Sequence, residues 1–354
     1  MLPRLGRAAA LAGLLVLPVP AWSADPPATE EGQALDVRRL SPEQRARLLA
    51  GDTIAYELLE TSEIEVSAGV AMYLAVPLGR AAEVLTSPDV VLKDPSITAS
   101  GLIPARATPA AVQGFMFTSG ELGEAREALE AEPGLRFNLT PAESEAFRAA
   151  KAAPRCCDRT TTLETAASQW RALLLQRAQA FQARGLDGVA PYARRGGISD
   201  PAALLRVAAG DARIVAPFAP GLSQALLRYP AEQSPTSISQ IYWVKRQVQG
   251  RPTPILIHHL VDVTPALALY VERQVYVGHT YNASQILCAA VPYEDGVLIL
   301  SSNRVSTDQV GGFGGDMKRM IGRRQLRAEI VKRFHRIRAA LASTPAPPAA
   351  VQSP

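Results

Sequence analysis

Two stretches early in the chain share a strand-like texture. Thr53 to Glu60 (TIAYELLE) and Glu63 to Val76 (EIEVSAGVAMYLAV) are β-branched and partly alternating, and a brief polar break separates them, which predicts a hairpin or two successive strands. Pro77 then opens PLGRAAEVLTSP, where Leu78, Ala81, Ala82 and Leu85 recur at helical spacing. In the middle of the chain the period changes. ELGEAREALEAEP, TPAESEAFRAAKA, TTLETAASQWRALLLQRAQAFQARG and SDPAALLRVAAG carry apolar residues three and four apart, which predicts a run of helices. Thr140 and Glu143 have capping-box spacing, Ser199-Asp200-Pro201 reads as a helix start, and Gly185 and Gly210 read as stops.

Strand texture returns in the last third. SISQIYWVKRQVQ, TPILIHHLVDV, LALYVERQVYVGHTYN, SQILCAAVPY and VLILSSNRVS follow one another through short links, with Glu294-Asp295-Gly296 as a hairpin turn. Links this short leave no room for parallel crossovers, so the five runs predict an antiparallel meander. The fold class is therefore α+β: an antiparallel sheet with a long C-terminal helix, interrupted by a helical insertion. The boundaries are a leader at 1–24, a tail and linker at 25–50, the first part of the α+β domain at 51–119, the insertion at 120–235, the meander with its helix at 236–342, and a Pro/Ala tail at 343–354. Both tails are expected to be disordered.

The terminal helix opens with glycines and continues as a run of cations, GGFGGDMKRMIGRRQLRAEIVKRFHRIR. It is not a phosphate loop, because Asp316 and Met317 stand between Gly315 and Lys318 and no Ser or Thr follows; a dinucleotide fingerprint fails because Met317 occupies the third-glycine position. Met317, Met320, Ile321, Ile330, Phe334, Ile337 and Leu341 fall mostly on one stripe, which predicts a helix packed on the sheet with a solvated basic face. A sharper reading has Lys318, Arg319, Arg323, Arg324 and Arg327 also meet anionic lipid head groups.

Composition and charge narrow the compartment and the partners. Arg4 and Arg7, the apolar run Ala8 to Val19, and Ala21-Trp22-Ser23 have the form of a secretory signal peptide cleaved near Ser23 or Ala24. The Ala-, Arg- and Pro-rich usage points to a GC-rich bacterial genome, so the expected location is periplasmic or secreted. The net charge is +4, yet nine Lys or Arg face only Asp316 and Glu329 between positions 316 and 338, which leaves the rest of the chain slightly acidic. Nucleic acid is excluded as a partner on that distribution. Cys156 and Cys157 are adjacent and Cys288 lies in a strand, so a bridge to Cys288, a vicinal pair and a plain buried Cys288 are all open.

Chemistry-bearing motifs are sparse. There is no Gly-x-Ser-x-Gly, no His-Glu-x-x-His and no zinc spacing, so no catalytic residue, metal or cofactor is assigned. His258 and His259 are neighbours on a strand and point to opposite faces. Glu272, Gln274 and Tyr276 alternate onto one face, with a solvent-facing position favoured over a cavity lining. Arg304 at the end of the last strand is expected to pair with Asp308 or Asp316, or else to bind a carboxylate or phosphate. Gly311 to Gly315 provides a sharp turn, with Asp316 as a cap.

In element order, Thr53 to Ser119 and Ser237 to Leu341 resemble the helix-grip, START-like domains, in which a curved sheet and a terminal helix enclose an apolar cavity. IYWVKRQ, VERQVYVGHTYNAS and SSNRVSTDQVGGFGGDMKR are also similar to the landmarks of a group of exported bacterial proteins to which no activity is attached. The START-like resemblance implies ligand binding only, of a lipid or other apolar small molecule. The candidate contacts are Tyr242, Trp243, Tyr276, His279, Tyr281 and Arg304, of which Tyr242, Trp243 and Tyr276 either line a pocket or pack the sheet. The contrasting expectation is a cell-envelope structural or assembly protein whose insertion docks a protein partner on a filled core. A third is a hydrolase or cyclase using the His279 to Tyr281 region.

Overall fold

A computed structural model describes residues 40–343 apart from 89–91, 135, 153–157, 211–218, 220–221, 231–236 and 313. The leader, most of the N-terminal tail, the last residues of the chain, Cys156 and Cys157 lie outside the described residues. The strand-like stretches join into one eight-stranded antiparallel sheet of β1 (Thr53–Tyr56), β2 (Glu65–Leu74), β3 (Ile97–Ile103), β6 (Ser237–Val248), β7 (Arg251–Thr264), β8 (Leu267–Val277), β9 (Ala283–Tyr293) and β10 (Gly296–Ser306). Their order is β1-β2-β10-β9-β8-β7-β6-β3, so the five C-terminal strands form the meander and the N-terminal strands flank it on both sides. Two-residue turns set the register. Gln249 and Gly250 both adopt positive φ, at 52° and 77°, between β6 and β7, as a type I′ hairpin requires.

Several elements escape the sequence pattern, among them a small hairpin at 192–199 and a helix at 222–228 within the insertion, and two outside it. β3 has a weak signature, Ile-Thr-Ala-Ser-Gly-Leu-Ile, and its Gly101 is needed because a Cβ there would come within 2.4 Å of the Trp243 indole nitrogen on β6. α1 (Pro42–Leu49) lies in the segment read as a linker; Ser41 and Gln44 close a capping box at its start and Leu48 buries its inner side.

Helices cover both faces of the sheet. On one face α2 (Leu78–Leu85) and α8 (Gly315–Ser343) pack over Val70, Met72, Ile257, Ile286, Cys288 and Ile299. On the other lie α1 and the insertion, α3 (Leu122–Leu129), α4 (Pro141–Lys151), α5 (Arg159–Arg184), α6 (Pro201–Gly210) and α7 (Leu222–Arg228), with a small hairpin of β4 (Tyr192–Arg194) and β5 (Gly197–Ser199). The predicted Thr140–Glu143 capping box closes α4, and Gly185 ends α5 at a φ of 57°.

Two local irregularities decide what each face presents. Leu256 pairs with Tyr276 but Ile257 pairs with Gln274, so Val275 is an extra residue in β8. This bulge corrects the simple alternation: Glu272 and Gln274 stay on the α8 face, while Tyr276 moves to the insertion core with Val275. The stripe on α8 also divides. Ile330, Phe334 and Ile337 are buried on the sheet, but Met317 and Met320 are mostly exposed, because the 3.6-residue turn carries them around to the outer side, and Ile321 is half exposed where the helix stands off the sheet.

Candidate functional site

Between the first two-thirds of α8 and the sheet lies a cleft of about 1060 Å³. Its apolar wall is Val66, Ile286 and Val305 from the strands and Ile321, Leu326 and Ile330 from the helix. Its polar side is built from β6, β8 and the β8–β9 link, with Arg246, Gln274 and Tyr281, facing Arg333 and Arg336 on α8. The cleft is thus amphipathic, and its charges come from both of its walls.

Beneath it sits Glu272, fully buried on β8. Tyr270 donates to Glu272 Oε2 at 2.5 Å and Gln274 Nε2 donates to Oε1 at 2.7 Å. Arg333 approaches the same carboxylate at 3.8 Å and lies over the Tyr270 ring. Burial alone pushes the Glu272 carboxyl up, but Arg246, Arg333 and these two hydrogen bonds outweigh it and hold the group below its ordinary range. Burial also pushes the Tyr281 hydroxyl up, against the opposing influence of the nearby Arg246. At the edge, Arg336 pairs with Asp94 at 3.1 Å; burial raises Asp94, and hydrogen bonds from Ser96 with the nearby Arg246 and Arg336 lower it further than burial lifts it.

The sequence-chosen residues divide between the two faces. Tyr281 lines the cleft and Tyr242 belongs to the core on that face. Trp243 and Tyr276 instead belong to the core under the insertion, where the Trp243 indole donates to Ala111 O at 2.7 Å. His279 is also enclosed on the insertion side: it is fully buried, 3.0 Å from Thr253 Oγ1, 2.7 Å from Thr280 Oγ1 and edge-on to Phe137. Burial, reinforced by Arg251, pushes it down to about 3, so this imidazole is neutral at ordinary pH. His258 and His259 do face opposite ways, the first against Phe181 and Tyr229, the second against Tyr242 and Tyr270. Arg304 pairs with Glu65 and donates to Leu59 O, while Asp308 pairs with Arg194 at 2.8 Å.

The basic face of α8 meets acids. Arg319 pairs with Asp316 and donates to Glu63 O, Arg323 holds Glu60 through two hydrogen bonds of 2.9 and 2.6 Å, and Arg327 reaches Glu57 at 3.4 Å. Lys318 lines the cleft. Arg324 lies on the same helix turn as Met320 and Ile321.

Arg246, Arg333 and Arg336 were not singled out from the sequence. The available signal was the strand period, which sends Lys245 to Glu121 on the insertion side at 2.8 Å and Arg246 to the cleft. Among the described residues no cluster of three His, Cys, Asp or Glu side chains could hold a metal ion, and no helix is long and apolar enough to cross a membrane. No protein-family model, curated protein or solved structure matches the chain.

Proposed function

We propose that this chain is an exported, periplasmic protein that binds a lipid or other apolar small molecule in the cleft between α8 and the sheet. The observation that carries the reading is the cleft itself: its volume, about 1060 Å³, is at the upper end of the range for small-molecule sites, and apolar side chains from three β-strands and one helix converge in it. The plan is that of a helix-grip, START-like domain with a helical insertion. By contrast, His279 and the aromatic residues beside it sit in a filled core, with no cleft lined by His279 among the described pockets. That packing supports binding over hydrolysis or cyclisation.

Contact with an anionic membrane belongs to the same proposal. Met317, Met320 and Ile321 are exposed near the mouth of the cleft beside Lys318, so the apolar side chains rather than the acid-paired arginines are the natural membrane-facing group.

Native mass spectrometry with lipid extraction, on mature protein from a periplasmic fraction, tests the reading. A stoichiometric co-purifying lipid is expected. An unliganded mass together with no uptake of added lipids would overturn it and move attention to a protein partner on the insertion.

A further inference from the structure

The charges around the cleft do not balance, and the imbalance describes a ligand. Lys318, Arg246, Arg333 and Arg336 line it, against Asp94 and Glu329. Asp94 is engaged by Arg336, and Glu329 by Lys332, which lies outside the lining. Besides Asp94, which Arg336 already holds, the carboxylate that acts on Arg246 and Arg333 is Glu272. Its oxygens already accept from Tyr270 and Gln274, and Arg333 stays at 3.8 Å, beyond hydrogen-bond distance. Arg246, Arg333 and Arg336 thus share two carboxylates, Asp94 and Glu272, and each of these also accepts hydrogen bonds from other side chains. Arg246 Nε is buried with no hydrogen-bond partner, a costly state for a charged donor group.

A planar guanidinium with unfilled donors is matched by a carboxylate or phosphate, which can take two parallel N–H donors. The apolar wall of Val66, Ile286, Val305 and Ile330 belongs to the same cleft. We propose that the cleft selects an amphiphile with an oxyanionic head group, a carboxylate or a phosphate, seated between Arg246 and Arg333 with its apolar tail along that wall. This rests on the cleft being the binding site and adds the class of ligand. Asp94 and Glu272 cannot neutralise Arg246, Arg333 and Arg336 together, so a neutral lipid leaves one positive charge unanswered while an acidic one completes the set.

Isothermal titration with dodecanoate, dodecyl phosphate, dodecanol and inorganic phosphate tests the proposal on the mature protein, its Arg246→Met and Arg333→Met variants, and the charge-retaining Arg246→Lys. In the wild type the two anionic probes are expected to bind at least about tenfold tighter than dodecanol, and either Met substitution to remove about 10- to 100-fold of that affinity without weakening dodecanol. Arg246→Lys is expected to retain part of the preference. The stronger of dodecanoate and dodecyl phosphate identifies whether the source is a fatty-acid-like or a phospholipid-like molecule. Equal binding of dodecanol and dodecanoate in the wild type, a comparison that needs no variant, overturns the head-group assignment and leaves the cleft as an apolar site. Inorganic phosphate binding as tightly as dodecyl phosphate overturns the amphiphile. Failure of every alkyl probe overturns both the assignment and the cleft reading.

Discussion

Glu272 and Arg273 are neighbours on β8, both fully buried, and the sheet sends them to opposite faces. On the α8 face Glu272 sits among movable partners, arginines and tyrosines next to open volume. On the insertion face Arg273 has no acid partner among the described residues: it donates to Leu226 O at 2.8 Å and Leu205 O at 3.5 Å, and burial with Arg206 nearby lowers it to about 10. There a charge fastens two helices to the sheet through their carbonyls. One face is filled mainly by packing and fixed polar contacts, with a cavity of about 120 Å³ between α6 and Arg304; the other keeps far more room, and charge in reserve. Buried polarity alone therefore does not mark a site; buried polarity bordering a cleft does.

Acid should distinguish this arrangement most strongly. Burial holds His259 down to about 4 and His279 down to about 3, and pushes His258 well below the ordinary range. In the unfolded chain each takes a proton near pH 6.5, so between the folded and unfolded values the unfolded state binds more protons. Stability is then fully present above about pH 6.5 and falls below it by about 1.4 kcal/mol per pH unit for each histidine. Thermal unfolding followed from pH 7 to pH 4 should show this steep loss, flattened in His279→Asn. A melting temperature constant over that window would mean that the imidazoles are not enclosed as described.

The next effect comes from one ion pair of the insertion. Glu143 holds Arg177 through two hydrogen bonds, of 2.9 and 2.7 Å, and Arg177 is almost fully buried over the Tyr276 ring. Glu143→Ala leaves that guanidinium with Ala190 O at 3.2 Å and also breaks the capping box of α4. A loss of about 3–5 kcal/mol is expected in chemical denaturation, with uptake of alkyl probes unchanged where the protein remains folded. Impaired uptake in proportion to the lost stability would show that the two faces act as one unit.

How much of this could be read in advance depends on the kind of signal. Alternation and short links made the meander legible, and Thr140 with Glu143 made the start of α4 legible, since each is a local pattern. β3 was not, because its place at the edge depends on Gly101 admitting the Trp243 indole, a contact between residues far apart in the chain. The polar face of β8 was legible as a pattern in Glu272 and Gln274, but its burial under α8 was not, and the bulge at Val275 that redirects Tyr276 adds one residue to a strand without a sequence mark. Of the candidate contacts, Tyr281 lies in the cleft, whereas Arg246 and Arg333 meet there from positions 246 and 333, a convergence that only the tertiary fold creates.

A matched pair of substitutions gives the smallest effect and the sharpest comparison. Val112 is buried in the core under the insertion, near Trp243 and α5, while Val305 lies half-buried on the cleft wall. Val→Trp is the same chemical change at both. At Val112 the added rings have no vacant space and must displace packed side chains, for an expected cost of about 1–3 kcal/mol. At Val305 the cleft can receive the indole, so the expected cost is below about 1 kcal/mol and the consequence is occupancy: uptake of a fluorescent alkyl probe should disappear from a protein that melts almost as the wild type does. Equal destabilisation at both positions would mean that the α8 face is as tightly filled as the other. Undiminished probe binding in Val305→Trp would place the ligand elsewhere on the molecule.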